Sequence, residues 1–166
     1  TEEKATEVMK PCCEMIYDKF PNNIYGEDDE TLPLQIVKLL KAKNLKVAFC
    51  ESCTGGYISK TLTDAPGASD VFDCGIVTYS NDMKTRLVGV SPVALREKGA
   101  VSEDVALQMA KGVKAISGAD IGISVTGVAG PGGGTEEKPV GLVYMGFSTK
   151  NSSITSIPSS LQISIR

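Results

Sequence analysis

Histidine is missing from all 166 residues. That absence excludes a Ser-His-Asp or Cys-His arrangement built within the chain and removes the commonest nitrogen ligand of zinc, so no metal or cofactor is expected. Any hydrolysis carried out here must hand its protons to lysine, tyrosine or a carboxylate. Long apolar runs are missing too: no stretch of about 18 apolar residues occurs, and the charged opening is not a basic stretch followed by an apolar one. Neither a membrane span nor a signal peptide is therefore expected, and the chain reads as cytoplasmic. There is no excess of positive charge, with 17 Lys and Arg against 20 Asp and Glu and a net charge of -3. Nucleic acid is thereby excluded as a partner, because counterion release needs a concentrated basic face, whereas a small anionic ligand needs only a few local donors. Cysteine is neither dense nor even in number, at five, so the thiols are expected to be reduced.

What is present is enough apolar residue, 42%, for one globular domain with a core. Residues 2–20 place Ala5, Val8, Met9, Cys12, Met15, Ile16 and Phe20 at helical spacing, interrupted at Pro11, and PNNIYGEDDE follows as a polar connector. Residues 1–30 are expected to be a linker or helical appendage, and 31–166 the principal domain. Within the latter, a helix from Thr31 to near Asn44 precedes a strand at KVAFC, 46–50, and Gly55-Gly56 opens a second helix closed by DAPGAS. FDCGIVTYS, 72–80, reads as a strand. Ser91-Pro92 caps a helix to about Lys98, and Ser102 caps another carrying Val105, Met109, Val113 and Ile116. ADIGISVTG and VGLVYMGFST read as interior strands joined by the glycine-rich AGPGGGTEEKP. Strands alternating with helices predict a layered α/β domain.

Chemistry concentrates in FCESCTGGYIS, 49–59. Cys50 and Cys53 are either a redox pair or buried inert thiols. Ser52 lies between a strand end and a helix start, where the amides of Cys53, Thr54 and Gly55 are unpaired; it is a nucleophile beside oxyanion donors, or Ser52 or Thr54 merely caps the helix. Glu51 either orients a cation or ligand hydroxyl or favours the helix N-terminus. GVAGPGGG, 127–134, is a phosphate cradle or a flexible loop. Taken singly, Tyr79 reads as a packed edge aromatic and Lys84 as a solvated surface lysine.

Taken together, FCESCTGGYISKTLTDAPGASDVF, GIVTYSNDMKTRLVGV, KGAVSEDVA and SVTGVAGPGGGTEEKPVGLVY resemble the carboxy-terminal domain of the competence/damage-inducible CinA family, from about Tyr25 to Thr149. The resemblance implies a three-layer α/β/α fold with a mixed, mainly parallel sheet, similar to anticodon-binding domains. It also implies a nicotinamide-nucleotide amidohydrolase, which converts nicotinamide mononucleotide to nicotinate mononucleotide and ammonia. By motif, Ser52 resembles the nucleophile, Tyr79 and Lys84 its proton-handling partners, and Thr126 a contact to substrate or intermediate. Glu51, Cys53, Thr54 and Gly55 are expected around the reacting group, and Gly130, Gly132 and Gly133 with Lys138 around the 5'-phosphate. A serine with no histidine needs a lysine held neutral, so burial of Lys84 is required. The family's arginine-bearing closing element has no counterpart in NSSITSIPSSLQISIR, which leaves a non-catalytic pyridine-nucleotide-binding regulatory module as the alternative. The opening residues resemble the connector to an upstream domain, so the chain is expected to derive from a two-domain parent. Self-association is expected, because a domain without its last helix exposes apolar strand surface.

Overall fold

The computed structural model describes residues 1–156, so the closing stretch 157–166, in which the arginine element was sought, lies outside the described residues. Six helices and five strands follow in the order α1 (Glu2–Lys19), α2 (Leu32–Ala42), β1 (Val47–Glu51), α3 (Tyr57–Thr63), β2 (Phe72–Val77), α4 (Asn81–Val88), α5 (Pro92–Lys98), α6 (Glu103–Ser117), β3 (Ile121–Gly127), β4 (Val143–Ser148) and β5 (Ser153–Ser156). Most starts are dictated by local chemistry. The Thr31, Ser80, Ser91 and Ser102 side chains each accept an amide hydrogen bond from the first turn of the helix that follows.

The strands form one sheet in the order β2-β1-β3-β4-β5. β1 pairs in parallel with both β2 and β3, while β4 is antiparallel to β3 and β5. Four of the five strands thus run one way, which is the mixed, mainly parallel sheet expected. Alternation along the strands divides the core. Ala48 and Cys50 face the cluster built by Val105, Met109 and Val113 of α6 with Val88 and Val90, whereas Val47 and Phe49 face Val37 and Leu40 of α2 and Leu62 of α3. Each fully buried side chain of this kind contributes about 1.5–3 kcal/mol. The two faces are covered unequally. α6 packs along β1, β3, β4 and β5, while on the opposite face α3 packs on β1 and α2 on α3, so among the described residues no helix covers the β3–β4 half of that face.

Three expectations are corrected. The first helix is not interrupted at Pro11 but runs through it; the carbonyl that loses its partner lies on an exposed helix, where water can satisfy it. The strand expected over 72–80 ends at Val77, because Ser80 turns the chain into α4, which the sequence reading missed. Ser80 as cap and Gly89 in left-handed conformation frame that helix and are its readable signal. Third, the strand read as KVAFC starts and ends one residue later, with Glu51 as its final member. In addition, Ser153–Ser156 form β5 against β4, an element for which no expectation stood.

Candidate active site

The three parallel strands β1, β2 and β3 end together, and their carboxyl ends deliver Ser52, Thr78-Tyr79 and Thr126 to one edge of the sheet, the usual place for a site in an open α/β fold. A cleft of about 270 Å³ opens there, walled by Ser52, Cys53, Tyr79, Lys84, Thr126 and Gly130. Ala100 and Val101, which precede α6, and Gly127, Ala129 and Gly132 complete it. Gly127, Ala129 and Gly132 belong to the glycine-rich segment already singled out by sequence, whereas Ala100 and Val101 were not; they sit in the KGAVSEDVA block, just before the Ser102 cap, which is where the signal lay.

Two residues that looked ordinary singly exchange roles. Lys84, expected at the surface on its own, is 1% exposed, and Tyr79, expected as a packed aromatic, is 73% exposed. The cause is α4: Lys84 and Val88 are one turn apart and both face inward, while Tyr79 precedes the cap. Lys84 Nζ lies 2.9 Å from Ser52 Oγ, 2.6 Å from the Thr78 carbonyl and 3.4 Å from the Tyr79 carbonyl. Among the described residues no carboxylate lies within ion-pairing distance of Nζ. Burial therefore pushes the amine below the usual lysine range, opposed only by the nearby Cys50 and Cys53 thiols. In its neutral form the amine offers two N–H groups to the two carbonyls and one lone pair to the Ser52 hydroxyl. Ser52 itself is 8% exposed, and its own amide is spent on the Val125 carbonyl at 2.9 Å.

Beyond Ser52 the chain makes a tight turn through Gly55 and Gly56, at φ +60° and +100°, values a side chain rarely adopts. The Cys53 and Thr54 amides lie beside the Cys53 thiol and donate to no other protein group among the described residues. Neither amide is therefore committed to another protein acceptor, and Cys53 itself lines the cleft.

Glu51 is 1% exposed but turns away from the cleft. Its carboxylate accepts from the Gly56, Ile58 and Ser59 amides at 3.1, 3.0 and 2.8 Å and from the Ser59 hydroxyl at 2.6 Å. Burial alone would raise its pKa, yet the Ser59 hydroxyl and the helix-start amides outweigh it and hold the carboxyl below its usual range. The Thr54 hydroxyl oxygen is shielded from solvent, near enough to help hold that charge but without hydrogen-bond geometry to any group.

Of the residues singled out by sequence, Ser52, Cys53, Tyr79, Lys84, Thr126, Gly130 and Gly132 meet at the cleft, and Glu51, Thr54, Gly55, Gly133 and Lys138 do not line it. Thr126 is buried and donates its hydroxyl to the Ala100 carbonyl at 2.9 Å, which ties β3 to the opposite wall and leaves its lone pairs for a ligand. Lys138 reaches the other way, to the Lys98 carbonyl at the end of α5 at 2.5 Å, a favourable place for a cation. Cys50 and Cys53 are not joined; burial pushes both thiols above the usual range, as befits inert side chains. Among the described residues no cluster of metal-ligating side chains occurs, and no helix is long and apolar enough to cross a membrane.

Known proteins are similar to this chain in sequence and in fold. The family model described as the CinA C-terminal domain matches residues 29–162. A CinA-like protein from Prochlorococcus marinus (strain MIT 9215) is 46% identical over 156 residues, covering 94% of this chain and 37% of that relative. A protein from Alkaliphilus oremlandii, named for competence-damage inducibility, is 49% identical over 147 residues, covering 89% of this chain and 36% of the relative. The chain thus spans little more than a third of the length of these curated relatives. Among solved structures, the competence/damage inducible protein CihA from Agrobacterium tumefaciens superposes with a TM-score of 0.75 at 43% identity, covering 81% of this chain and 82% of that one. A CinA superfamily protein from Escherichia coli gives 0.74 at 33% identity, with 82% of each chain covered.

Proposed function

Because this chain belongs to the CinA C-terminal domain family, we propose that it is an amidohydrolase that cleaves the carboxamide of nicotinamide mononucleotide to nicotinate mononucleotide and ammonia. One observation carries the reading: a buried amine without a carboxylate partner stands 2.9 Å from a serine hydroxyl in a cleft at the sheet edge. A lysine in that setting supplies the base that histidine supplies elsewhere.

The course follows from the contacts. Neutral Lys84 accepts the Ser52 proton as Oγ attacks the amide carbon, and the carbonyl oxygen, now negative, meets the Cys53 and Thr54 amides. The C–N bond breaks as the Lys84 ammonium returns that proton to the departing nitrogen, giving ammonia and an ester on Ser52. Water then attacks the ester, Lys84 takes the water proton and Ser52 Oγ recovers it, releasing the carboxylate. Lys84 touches Ser52 directly, so Tyr79 is not needed as a relay; it lends a backbone carbonyl to the amine and a side chain to the cleft wall. Thr126 and the Gly130 and Gly132 segment line the space left for the nucleotide, and Lys138 donates instead to the Lys98 carbonyl at the end of α5.

The test is ammonia release from nicotinamide mononucleotide. Ser52→Ala and Lys84→Met are each expected to lower kcat by roughly 10³-fold or more while leaving the folded spectrum intact. Turnover by Ser52→Ala at the wild-type rate rules the scheme out, and tight nucleotide binding without ammonia release from the wild type identifies a regulatory binding module instead.

A further inference from the structure

Two walls of the cleft come from distant stretches of chain. One is Ala100-Val101, between α5 and α6; the other is the glycine-rich segment 127–132, at the head of the loop that runs from β3 to β4. Three successive carbonyls at the first wall are each held by a side chain from a different part of the fold. The Gly99 carbonyl accepts from the Ser102 hydroxyl at 2.9 Å, the Ala100 carbonyl from the Thr126 hydroxyl at 2.9 Å, and the Lys98 carbonyl from the Lys138 amine at 2.5 Å. The last tie differs in kind, because Lys138 belongs to the loop of the other wall. Gly99 makes room for it: at φ +75° it carries no side chain, and a methyl group there would stand 3.0 Å from Lys138 Nζ.

The loop carries that anchorage to the cleft. Its stem is closed just beyond the strands, where the Val128 amide donates to the Leu142 carbonyl at 2.9 Å and the Gly141 amide to the Val128 carbonyl at 2.8 Å. At its tip, the Thr135 amide donates to the Lys138 carbonyl at 2.9 Å and the Lys138 amide to the Thr135 hydroxyl at 3.0 Å. Between stem and tip the two limbs touch. A methyl group on Gly130 would stand 2.6 Å from Val140 Cγ1, and one on Gly134 would stand 2.8 Å from the Val140 amide nitrogen, so the limb bearing Lys138 rests on the limb that lines the cleft. Residues 128–142 form neither helix nor strand, so the order of this wall depends on such ties.

We infer that Lys138 is a positioning residue, which straps the glycine-rich wall to the Ala100-Val101 wall and so holds the cleft in shape before a ligand arrives. Ordering the loop in advance removes that cost from binding, so the strap acts on affinity and leaves the chemistry at Ser52 and Lys84 alone. The strap itself stands on geometry; its effect on nicotinamide mononucleotide rests on the amidohydrolase reading.

Hydrogen exchange of the ligand-free chain tests the strap, and steady-state ammonia release tests its consequence. Lys138→Met speeds exchange in peptides spanning 128–141 by roughly tenfold, while peptides from β1 and α6 and the Tm stay as in the wild type. The same variant raises KM for nicotinamide mononucleotide about tenfold, equivalent to about 1.4 kcal/mol, with kcat within about twofold, and lowers kcat/KM for the dephosphorylated nucleoside by the same factor. Lys138→Arg, whose guanidinium also donates to a carbonyl, recovers most of both effects. Exchange in 128–141 that is indifferent to Lys138→Met overturns the proposal. So does a loss confined to the phosphorylated substrate, which makes Lys138 a phosphate contact, or a fall in kcat at unchanged KM. Faster exchange in the variant of a chain whose wild type releases no ammonia upholds the strap and sinks the amidohydrolase reading instead.

Discussion

Lys84 sets the chemistry at the scale of single residues. Its ordinary value is near 10.5, and burial lowers it. If neutral Lys84 is the base, kcat/KM rises with pH through that lowered value and levels off above it, well before an ordinary lysine would titrate. The measurement is a pH profile of ammonia release; a limb rising only near the ordinary lysine value removes the amine from the mechanism. Glu51 acts in the opposite sense. Its folded value lies below 4.5, so the stability it contributes is fully present above that pH and is lost as pH falls through the folded value. Glu51→Gln places an NH2 group against donors and should cost about 2 kcal/mol, read as a lower denaturation midpoint with an unchanged slope. That these residues matter was legible in the motif, but their surroundings were not. A lysine in TYSNDMKTRL has no composition that announces burial, and the motif left Glu51 open between a ligand and the start of the next helix, where its carboxylate lies.

Elements are positioned by close approach. A methyl group on Gly146 would stand 2.3 Å from the Ala106 carbonyl oxygen and 2.6 Å from Ser124 Oγ, and one on Gly122 would stand 2.2 Å from the Ala110 carbonyl oxygen. α6 can therefore rest directly on β3 and β4 because these two positions lack side chains, and Ser124 Oγ donates to the Ala106 carbonyl at 2.5 Å across the seam. Gly146→Ala should destabilise by about 1–3 kcal/mol through overpacking, seen as a fall in Tm. Helix α1 behaves oppositely, being solvated along its length. Pro11→Ala should raise helicity in the far ultraviolet and leave the Tm of the domain unmoved. Capped helices such as those begun by Ser91 and Ser102 were readable because their start signals are local. α4 was hidden because Ser80 serves equally well as the tail of a β-rich run, and only the pairing of β2 with β1, a distant contact, ends that strand at Val77.

At the scale of the molecule, the alternation of strands and helices was sufficient to predict a layered α/β domain, while the three layers were implied by the family resemblance. The unequal cover was not readable beforehand: which helix lies on which strand depends on crossover order, which no local pattern encodes. The cleft, at the strand ends, and the α2 face of the sheet are separate surfaces with no lining residue in common.

The unpaired amine of Lys84 also gives the folding reaction a thermal signature. Between its lowered value and the ordinary one, the unfolded chain binds a proton there that the folded chain does not, so stability increases with pH across that interval and unfolding draws a proton from the buffer. Calorimetric unfolding heats should then be larger in an amine buffer, whose deprotonation absorbs heat, than in phosphate at the same pH, and Lys84→Met should make the two buffers agree.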